Sequence, residues 1–502
     1  MESDLLLAGS LTSFLSAQAI VTDENTLNRY AASINGTTCR PAAVVFPVST
    51  DEVAQLVRWA NEKRVSLFTI SRGRNLGYGD AQGTASGQVI VDLSRMNKIL
   101  AVDEKLGSVS IQPGVSQGQL YEHLQHQKSR LMLDVTGAGI DASVVGNMLE
   151  RGFGHTEYGD RFATIIHLTA VTGEGKIIRT GFSGYPNART ANTYRYGIGP
   201  MLEGLFSQSN LGIITELTFE LMPKPEVVSM FVLSSKKEDS LANIVEAVRE
   251  LRLSGVVKSA VHIANRSRAV GEKDNKLVGA WNLSGAITGP ASVVRSKERY
   301  IKKIFRQHAS SYSLWFFGKR MLELVKWIHE HVFSLDVYAA LRDIYDLQTG
   351  KPTDEPLRTL LNDDQLSSKE LNTGNYSTCF SWINATIPAN GEDAVTAVRL
   401  LENLFKENNY EFRITLTAET PRTLVLISNV TYPRTPDEIS RAAAFTSKCS
   451  EALIAAGYLP YRSGSGMYDN LPSIPEETYS FLRSIKTATD PNSVLAPGKY
   501  RI

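Results

Sequence analysis

The sequence has little cysteine and no spacing typical of a metal site. Its 502 residues include three cysteines, Cys39, Cys379 and Cys449, and no Cys-x-x-Cys pair. This excludes a disulfide framework and a thiolate metal site, and it favours a reducing compartment. The eight histidines form no His-Glu-x-x-His motif, so no zinc-hydrolase site is predicted either.

The sequence also lacks a charge excess and a long apolar run. Lys and Arg number 53 against 52 Asp and Glu, a net charge of +1, so no long-range field attracts nucleic acid or an anionic membrane. The start, Met1 to Asp4, is acidic where a secretory signal is basic, and no uninterrupted run of about 18 apolar residues occurs. We therefore expect a cytoplasmic protein that binds neither nucleic acid nor membrane and whose partner is a small molecule.

What the sequence does contain is a glycine-rich loop at residues 71–79. The apolar run 65–70 before it predicts a short buried strand, and the loop carries three glycines together with Arg72 and Arg74. Successive N–H groups of such a loop form a concave anion-binding nest, and the guanidinium of each arginine adds further hydrogen-bond donors. The favoured ligand is therefore a diphosphate. No Gly-Lys-Ser/Thr follows, so the loop is not a Walker A motif. A glycine-rich surface turn with solvated arginines is the alternative.

The rest of the chain predicts more than one domain, as its length of 502 residues allows. A second glycine-rich region at 136–160 suggests backbone wrapped against a flat, extended ligand, although loops between strands would look similar. Residues 204–215 lead into an apolar alternating strand, and the proline-rich residues 222–226 form a stiff linker and the first predicted domain boundary. The order of strands and helices in 376–456 predicts an antiparallel sheet with helices on one face.

Several motifs then occur together in one chain: 71–79, 113–115, 143–147, 150–152, 158–160, 204–215, 490–492 and 496–499. They resemble the vanillyl-alcohol oxidase / 4-cresol dehydrogenase family of FAD-linked oxidoreductases, in particular the branch with vanillyl-alcohol oxidase and eugenol oxidase. The resemblance implies an α+β fold. A bipartite FAD-binding domain of the vanillyl-alcohol oxidase (PCMH) type would comprise residues 1–226 and 461–502. An α+β cap domain built on an antiparallel sheet would comprise residues 227–460.

The resemblance assigns a set of residues to FAD. The loop 71–76 would hold the pyrophosphate through its amides, and the second glycine-rich region would line the ribityl chain and the ring. Ile213 would lie on the adenine side and Lys499 near the polar edge of the ring. The full set is Ser71, Arg72, Gly73, Arg74, Asn75, Leu76, Thr136, Gly137, Ser143, Gly146, Asn147, Glu150, Gly152, Gly212, Ile213, Arg462 and Lys499.

The resemblance also implies a phenolate site at Tyr78, Tyr461 and Arg462. Hydride removal from the benzylic carbon of a para-alkyl phenol is easier when the phenol is ionised, because the product becomes a p-quinone methide. A guanidinium and two hydroxyl donors stabilise that oxyanion and lower the pKa of the phenol. Without the resemblance, Tyr461 and Arg462 would be interpreted as a packed tyrosine beside a surface arginine.

One departure from the family pattern concerns the link to the flavin. Phe380 stands where the covalent flavin histidine of the family is expected, and phenylalanine cannot bond the flavin methyl group. The glycine-rich loop also lacks the histidine that related bicovalent enzymes use. The sequence therefore predicts FAD held without a covalent bond. Cys379 is the only other conceivable donor, although buried structural cysteines are usually inert.

Two further departures concern proton transfer. The family's aspartate beside flavin N5 belongs to an Asp-Val-Pro pattern, whereas Asp134-Val135 is followed here by Thr136-Gly137. Asp141 either recovers that role from a shifted loop or is a turn residue. His155 stands where a pocket tyrosine is expected and is either a general base that works near neutral pH or a hydrogen-bonded structural histidine.

The sequence thus predicts an FAD-dependent oxidoreductase that transfers hydride from a benzylic or similar carbon of an aromatic, phenolic substrate to flavin N5. The trio Tyr78, Tyr461 and Arg462 would hold the oxyanion, and His155 or Asp141 would manage the proton. O2 would reoxidise the flavin unless a protein acceptor does so, and the altered pocket suggests a bulkier substrate from secondary metabolism. Two alternatives stay open: an FAD-dependent alcohol, hydroxy-acid or sugar oxidase without phenolate activation, and a non-redox FAD-binding scaffold.

The resemblance implies a homodimer or higher homo-oligomer, because family members commonly dimerise. Segment 310–332 carries Trp315, Phe316, Phe317 and Trp327 on predicted amphipathic helices. We interpret this aromatic cluster as core or subunit interface, since apolar stripes at helical spacing usually pack.

Overall fold

The computed structural model describes residues 9–270, 278–331, 338–465 and 467–502. Residues 1–8, which include the acidic start 1–4, lie outside the described residues. Residue 332, the end of the predicted aromatic segment 310–332, also lies outside them. Among the helices of the described ranges, none is both long and apolar enough to span a bilayer.

The amino-terminal part contains a small sheet whose last strand leads into the glycine-rich loop. Its side chains are buried on both faces of the central strands, which is why these strands are continuous apolar runs in the sequence. Three of its four strands are parallel, and the sheet order is Ile20–Val21, Ala43–Val45, Val89–Asp92 and Leu67–Ile70.

The helix Thr50–Lys63 connects two strands of this sheet and is capped by Ser49. Ser49 Oγ accepts a hydrogen bond from Glu52 N at 3.2 Å, and Glu52 Oε2 accepts one from Val48 N at 2.8 Å. These bonds satisfy N–H groups that the start of a helix leaves without partners. Leu56 lies on the buried face of this helix and packs against the sheet.

A second sheet and a short ribbon complete the amino-terminal part. The five strands of the second sheet are antiparallel and lie in the order Ile99–Asp103, Ser108–Ile111, Gly212–Glu220, Ile165–Thr172 and Ile177–Arg179. In the ribbon, Leu131–Met132 pairs with Met222–Pro223. The predicted linker 222–226 therefore begins as a strand.

The segment 9–35 packs against the amino-terminal sheet. It contains the short helix Glu24–Ala31 and the edge strand Ile20–Val21. Leu11 and Leu15 are 0% and 3% exposed and pack in the core that also contains Trp59. The apolar side chains of this segment therefore help to fill that core.

The carboxy-terminal segment returns to the amino-terminal sheet. Leu67 N donates to Val494 O, and Ala496 N donates to Leu67 O, both at 2.7 Å. This segment therefore adds a parallel bridge beside the strand that leads into the glycine-rich loop. Asn210 Nδ2 also donates to Ala496 O at 3.1 Å. These contacts agree with a bipartite domain, while the boundaries at 226 and 461 remain predictions.

The cap is built on an antiparallel sheet of seven strands, as predicted. In sheet order the strands are Ser313–Phe317, Val227–Ser235, Trp281–Gly289, Val261–Asn265, Ile414–Ala418, Thr423–Pro433 and Thr378–Pro388. Four helices pack on one face and share its apolar core: Leu241–Leu253, Ala291–His308, Gly391–Glu407 and Pro436–Ala455. The opposite face, called the roof below, contacts the glycine-rich loop, where Trp382 Nε1 donates to Leu76 O at 2.9 Å.

The remaining helices connect these parts. They are Gln117–His126, Val144–Leu149, Arg266–Val270, Lys319–His331, Tyr338–Gln348, Glu355–Leu361 and Glu476–Thr489.

The aromatic cluster at 313–317 forms a strand and not the predicted helix. Ser313–Phe317 pairs with Val227–Ser235 as an edge strand, which suits a run of aromatic residues with high β-propensity. Trp315 is 42% exposed there, and Trp327 on the following helix is 54% exposed. The cluster is therefore only partly in the core.

The contacts of Asp490 yield a stability prediction. Asp490 is 1% exposed, accepts hydrogen bonds from Val494 N at 3.0 Å and Leu495 N at 2.9 Å, and lies 2.7 Å from Lys486 Nζ. Removing one partner of a buried ion pair costs about 3–5 kcal/mol. We expect Asp490→Ala to lower the free energy of unfolding by about that amount in urea denaturation. Asp364→Ala, at an exposed position, is the control and should change it by less than about 0.5 kcal/mol. Equal losses in the two variants would contradict this role of Asp490.

Candidate active site

The glycine-rich loop has the shape of an anion-binding nest. Gly73 and Gly77 have φ values of +63° and +74°, which favour glycine. A Cβ atom on Gly73 would lie 2.8 Å from Ala81 Cβ, and one on Gly77 would lie 2.6 Å from Phe380 Cε2. The backbone N–H groups of residues 72–76 donate to no acceptor in the described part of the chain. The loop therefore has free donors and no room for side chains at its turns, which fits a diphosphate.

The two loop arginines bind protein acceptors. Arg72 donates through Nε to Asp141 O and through Nη1 to Gly114 O, both at 2.9 Å, and its Nη2 contacts the Asp141 carboxylate. Arg74 Nε lies 3.0 Å from the same carboxylate, and Nη1 donates to Leu371 O at 3.0 Å. The guanidinium groups thus fix the loop in place, and its amides are the donors left for a diphosphate. The predicted FAD contacts of both arginines stay predictions.

Asp141 is held by the two loop arginines, and its predicted proton role stays a prediction. It is 4% exposed, each of its carboxylate oxygens contacts one loop arginine, and its backbone N donates to Ser368 Oγ at 2.9 Å. A carboxylate held in this way neutralises the loop arginines. The structure does not bring it into hydrogen-bond contact with Tyr78, Tyr461 or Arg462 in the described ranges.

The second glycine-rich region lies against the loop. Ser143 Oγ caps the helix Val144–Leu149 by accepting from Gly146 N at 2.9 Å, and a Cβ on Gly146 would lie 3.0 Å from Ser71 Oγ. Gly152 approaches Asn147 more closely still, since a Cβ on Gly152 would lie 2.3 Å from Asn147 Nδ2. Ser71, Ser143, Gly146, Asn147 and Gly152 are thus brought together, as the predicted cofactor set requires.

Other residues of the predicted cofactor set lie along the same part of the fold. Thr136 exchanges hydrogen bonds with the Gln117 amide, at 3.2 Å and 3.1 Å, beside Gly137. Gly212 begins the strand that carries Ile213, which is 2% exposed in the core. Their contacts with adenine or ribityl atoms stay predictions.

The predicted phenolate trio comes together around Asn384. This cap residue donates from Nδ2 to Tyr78 OH and to Arg462 O, both at 3.3 Å, and its Oδ1 accepts from Tyr461 N at 3.2 Å. The guanidinium carbon of Arg462 lies 4.3 Å from the centre of the Tyr78 ring, and Tyr78 and Tyr461 are close enough to influence each other's pKa. The two segments predicted from sequence therefore meet beneath the roof.

The electrostatics of the trio suit an anion. Burial raises the pKa of Tyr78 well above its ordinary value and raises that of Tyr461, so both hydroxyls are protonated donors at neutral pH. Arg462 Nη2 donates to Asn75 Oδ1, and its buried Nε has no partner in the described part of the chain. No carboxylate in those ranges lies within 4.0 Å of the Arg462 guanidinium. A cation with a free donor therefore lies beside two hydroxyl donors.

The nearest negative charge, Glu150, is occupied elsewhere. Its oxygens contact Lys499 Nζ and Tyr500 OH, each at 2.8 Å. Burial alone would raise the pKa of Glu150, but Lys499 and Arg462 lower it, so the carboxylate is ionised. Glu150 and Lys499, both assigned to FAD from sequence, thus form a pair beside the trio.

His155 has a partner that sequence reasoning missed. Its Nδ1 lies 3.0 Å from Nε2 of His262 on the roof, and Nδ1 of His262 lies 2.9 Å from Thr417 Oγ1. Burial and His262 lower the pKa of His155 well below its ordinary value. Burial and Arg268 lower the pKa of His262 to about 4. Both rings are therefore neutral at pH 7.

Asp134, the aspartate of the altered family pattern, is held in a buried network. Its Oδ1 accepts from Thr156 N at 2.8 Å and from Thr156 Oγ1 at 2.7 Å, and its Oδ2 lies 3.6 Å from Arg161 Nε. A Cβ on Gly154 would lie 1.5 Å from Asp134 Oδ2. Glycine at 154 is thus required by the position of this carboxylate.

Because side chains alternate along the strand Thr378–Pro388, Phe380 and Cys379 lie on opposite faces of the cap sheet. Phe380 is fully buried on the roof side, where it packs with Leu76. Cys379 belongs to the helix-side core, and burial raises the pKa of its thiol. The sulfur therefore lies on the side of the sheet away from the glycine-rich loop.

The residues that sequence reasoning missed come from the roof. Asn384, His262, Thr417 and Asn429 are polar residues on four neighbouring strands. Because side chains alternate along a strand, their spacing from the apolar residues that pack on the helices places them on the opposite face. That pattern was the available signal, but the cross-strand register that joins them is not visible in the sequence.

Comparison with known proteins agrees with this geometry. A family profile described as an FAD binding domain matches residues 41–181. The chain is 32% identical to 1'-carboxy-chondrochloren decarboxylase of Chondromyces crocatus over 96% of this chain and 94% of that protein. It is 28% identical to the 4-cresol dehydrogenase [hydroxylating] flavoprotein subunit of Pseudomonas putida over 97% of this chain and 94% of that protein.

Solved structures give the same result. The fold matches p-cresol methylhydroxylase with substrate bound at a TM-score of 0.88 and 25% identity, over 100% of this chain and 98% of that one. It matches 4-ethylphenol oxidase from Gulosibacter chungangensis at a TM-score of 0.88 and 26% identity, with the same coverage. Fold and site define an FAD-binding oxidoreductase of the p-cresol methylhydroxylase type. The chain belongs to the vanillyl-alcohol oxidase / 4-cresol dehydrogenase family, which confirms the predicted fold class and enzyme class.

The buried histidine pair yields a pH prediction. The pKa of His262 is lowered from 6.5 to about 4, so between these values the unfolded chain binds a proton that the folded protein does not. Stability is complete above pH 6.5 and falls by roughly 3 kcal/mol as the pH drops to 4, at about 1.4 kcal/mol for each unit. We expect His262→Gln to show a shallower fall in the free energy of unfolding over that interval. His126→Gln, at an exposed helix end, should retain the wild-type slope. A His262→Gln slope equal to that of the wild type would rule out this origin.

Proposed function

We propose that the protein oxidises phenolic substrates at the benzylic carbon. The observation that carries this proposal is the trio Tyr78, Tyr461 and Arg462, in which a guanidinium lies against two protonated hydroxyls and has no carboxylate partner in the described ranges. The names of two similar proteins, 4-cresol dehydrogenase flavoprotein subunit and 4-ethylphenol oxidase, support a phenol. Bound FAD would supply the two-electron acceptor, with hydride passing to its N5 atom.

In this proposal the trio holds the substrate oxyanion. The charge of Arg462 and the two hydroxyl donors lower the pKa of the bound phenol, so that the substrate is ionised when hydride leaves. Asn384 fixes the groups before the substrate arrives, which reduces the reorganisation that the reaction requires. Removal of one preorganised donor of this kind costs a factor of about 10²–10³ in rate.

We assign proton transfer to His155 Nε2. His262 holds the other ring nitrogen at 3.0 Å, and Nε2 makes no hydrogen bond within the described part of the chain. The neutral ring is able to accept a proton from the substrate at pH 7. Asp141 is less suited, because both of its carboxylate oxygens contact arginines.

The remaining features of the proposal rest on similarity and on exposed surface. We propose O2 as the final electron acceptor, by analogy with the similar chain named an oxidase. Hydrogen peroxide formation tests it. We also propose a role in secondary metabolism, because the pocket residues depart from the family pattern at His155. A homo-oligomer fits the exposed side chains of Trp315, Leu324 and Trp327.

A second candidate function is oxidative decarboxylation, which the name of the relative at 32% identity favours. The substrate would be a phenol whose side chain bears a carboxylate on the carbon next to the benzylic one. Loss of hydride from the benzylic carbon gives a p-quinone methide. The electron pair of the C–CO2 bond then forms a new carbon–carbon double bond, the ring returns to the phenolate, and CO2 leaves. Detection of CO2 and a styrene-type product distinguishes this reaction from simple oxidation.

We propose that FAD is bound without a covalent link. Phe380 occupies the position of the family's covalent histidine, and Cys379 lies on the opposite side of the sheet. We expect acid precipitation of the purified protein to leave the flavin absorbance in the supernatant. A yellow pellet after washing would contradict the proposal.

The phenolate role predicts a large effect at Arg462. We expect Arg462→Gln to lower kcat/KM for 4-ethylphenol by a factor of about 10²–10³, because charge and a donor are lost where the oxyanion forms. The measurement is anaerobic reduction of the flavin, followed by absorbance, at equal flavin content. Arg483→Gln, at an exposed helix position, is the control and should match the wild type. If Arg462→Gln lowers kcat/KM by less than about threefold, an oxidase without phenolate activation is favoured instead. If neither phenols nor alcohols reduce the flavin, the non-redox scaffold is favoured.

A further inference from the structure

A second arginine, Arg268, is positioned at the roof. It lies on the short helix Arg266–Val270, which follows the strand Val261–Asn265. Arg268 N donates to Asn265 Oδ1 at 3.0 Å, and the same oxygen accepts from Ile414 N at 3.1 Å. Asn265 Nδ2 donates to Phe412 O at 2.8 Å. One asparagine thus ties the start of this helix to the neighbouring strand and fixes the backbone of Arg268.

The guanidinium of Arg268 has no carboxylate partner among the described residues, which leave out 271–277. Its Nη1 donates to Asn429 Oδ1 at 3.0 Å, and no carboxylate of the described ranges lies within 4.0 Å of it. The other guanidinium nitrogens make no hydrogen bond in these ranges, and the residue is only partly buried. Burial and Arg413 lower the pKa of Arg268 to about 10, which leaves it cationic at neutral pH. A partly buried cation with one neutral partner is costly unless a ligand supplies negative charge.

The charge balance around Arg268 fits a single negative charge. The neighbouring Arg413 is paired with Glu411, whose oxygen lies 2.7 Å from Arg413 Nη2. In the part of the chain that the structure describes, Arg268 is therefore the member of this arginine pair without an acidic partner. Its planar fork matches a carboxylate, which accepts two parallel hydrogen bonds from a guanidinium. A phosphate would require more positive charge than this site offers.

Arg268 lies on the same side of the cap sheet as the phenolate trio. Its partner Asn429 is directly opposite Trp382 in the strand register, and Asn384, which holds the trio, is two residues from Trp382 on the same face. The Trp382 ring stacks with Tyr78 at a centroid distance of 6.4 Å. The charge of Arg268 also reaches His262, whose pKa it lowers. On this face Asn429 binds Arg268 and Asn384 binds the backbone of Arg462, and Trp382 lies opposite Asn429 and two residues from Asn384.

We propose that Arg268, positioned by Asn429, binds a carboxylate on the side chain of the phenolic substrate. The substrate class is then a phenolic acid, with the phenolate at Arg462 and the carboxylate at Arg268. This inference rests on the proposed function. It agrees with oxidation and with oxidative decarboxylation, since both begin with a bound phenol.

The test compares an acid with its neutral isostere. The FAD-loaded protein is titrated anaerobically with 3-(4-hydroxyphenyl)propanoate and with 3-(4-hydroxyphenyl)propanamide, and binding is followed by the change in flavin absorbance. A charge-assisted bidentate contact predicts that the wild type prefers the acid over the amide by about tenfold or more. We expect Arg268→Gln to reduce the ratio of the two affinities to near one. Arg268→Lys keeps the charge but loses the two parallel donors of the guanidinium, so it should give an intermediate ratio. Arg299→Gln, at an exposed site on the cap, should keep the wild-type preference.

The outcomes separate this inference from the proposed function. Equal affinity of the wild type for acid and amide, or an unchanged preference in Arg268→Gln, would overturn the carboxylate site while phenol oxidation stands. If neither compound nor 4-ethylphenol perturbs or reduces the flavin, the proposed function fails and the carboxylate site fails with it. Flavin content and melting temperature are measured for each variant, and Arg268→Lys supplies the comparison if the glutamine variant does not fold.

Discussion

The amide of Asn384 holds together three segments that are far apart in the chain. It bonds to the Tyr78 hydroxyl, the backbone N–H of Tyr461 and the backbone carbonyl of Arg462. The glycine-rich loop, the carboxy-terminal segment and the cap strand therefore share one fixed point. The close approach of Gly77 to Phe380 and the bond from Trp382 to Leu76 reinforce it. Without this junction the two tyrosines and the arginine would belong to independent loops, and no preorganised anion site would exist.

The basic side chains of the site fall into two groups. Those of one group are paired with carboxylates of the described residues, and those of the other group are not. Next to the glycine-rich loop, Asp141 pairs with two arginines, and Glu150 pairs with Lys499. Within the described residues, Arg462 and Arg268 donate to the amide side chains of Asn75 and Asn429 and to no carboxylate. Cations that are left without carboxylates in a partly buried site favour anionic ligands there. In the proposed function, selection of an anionic substrate would thus follow from where the chain places its acidic residues as much as from where it places its arginines.

Sequence reasoning was most successful where a function requires a local pattern. The glycine-rich loop and the antiparallel cap sheet were both predicted and are present. It failed at 313–317, where the pairing with Val227–Ser235 decides the structure of an aromatic run that also has helical spacing. His262 and Asn429 were missed for a similar reason, since their partners lie 107 and 161 residues away in the chain. Such contacts depend on strand register, which local composition does not determine.

The alternation of side chains along Thr378–Pro388 limits how this enzyme can change during evolution. Phe380, Trp382 and Asn384 lie on the roof, whereas Cys379 and Ile383 pack on the helices. Insertion or deletion of one residue in this strand would exchange the two sets, placing apolar side chains over the substrate and an amide in the core. Divergence to new substrates must therefore proceed by replacement of individual roof residues. Strand length in the cap should vary far less among descendants of this sequence than the identity of those residues.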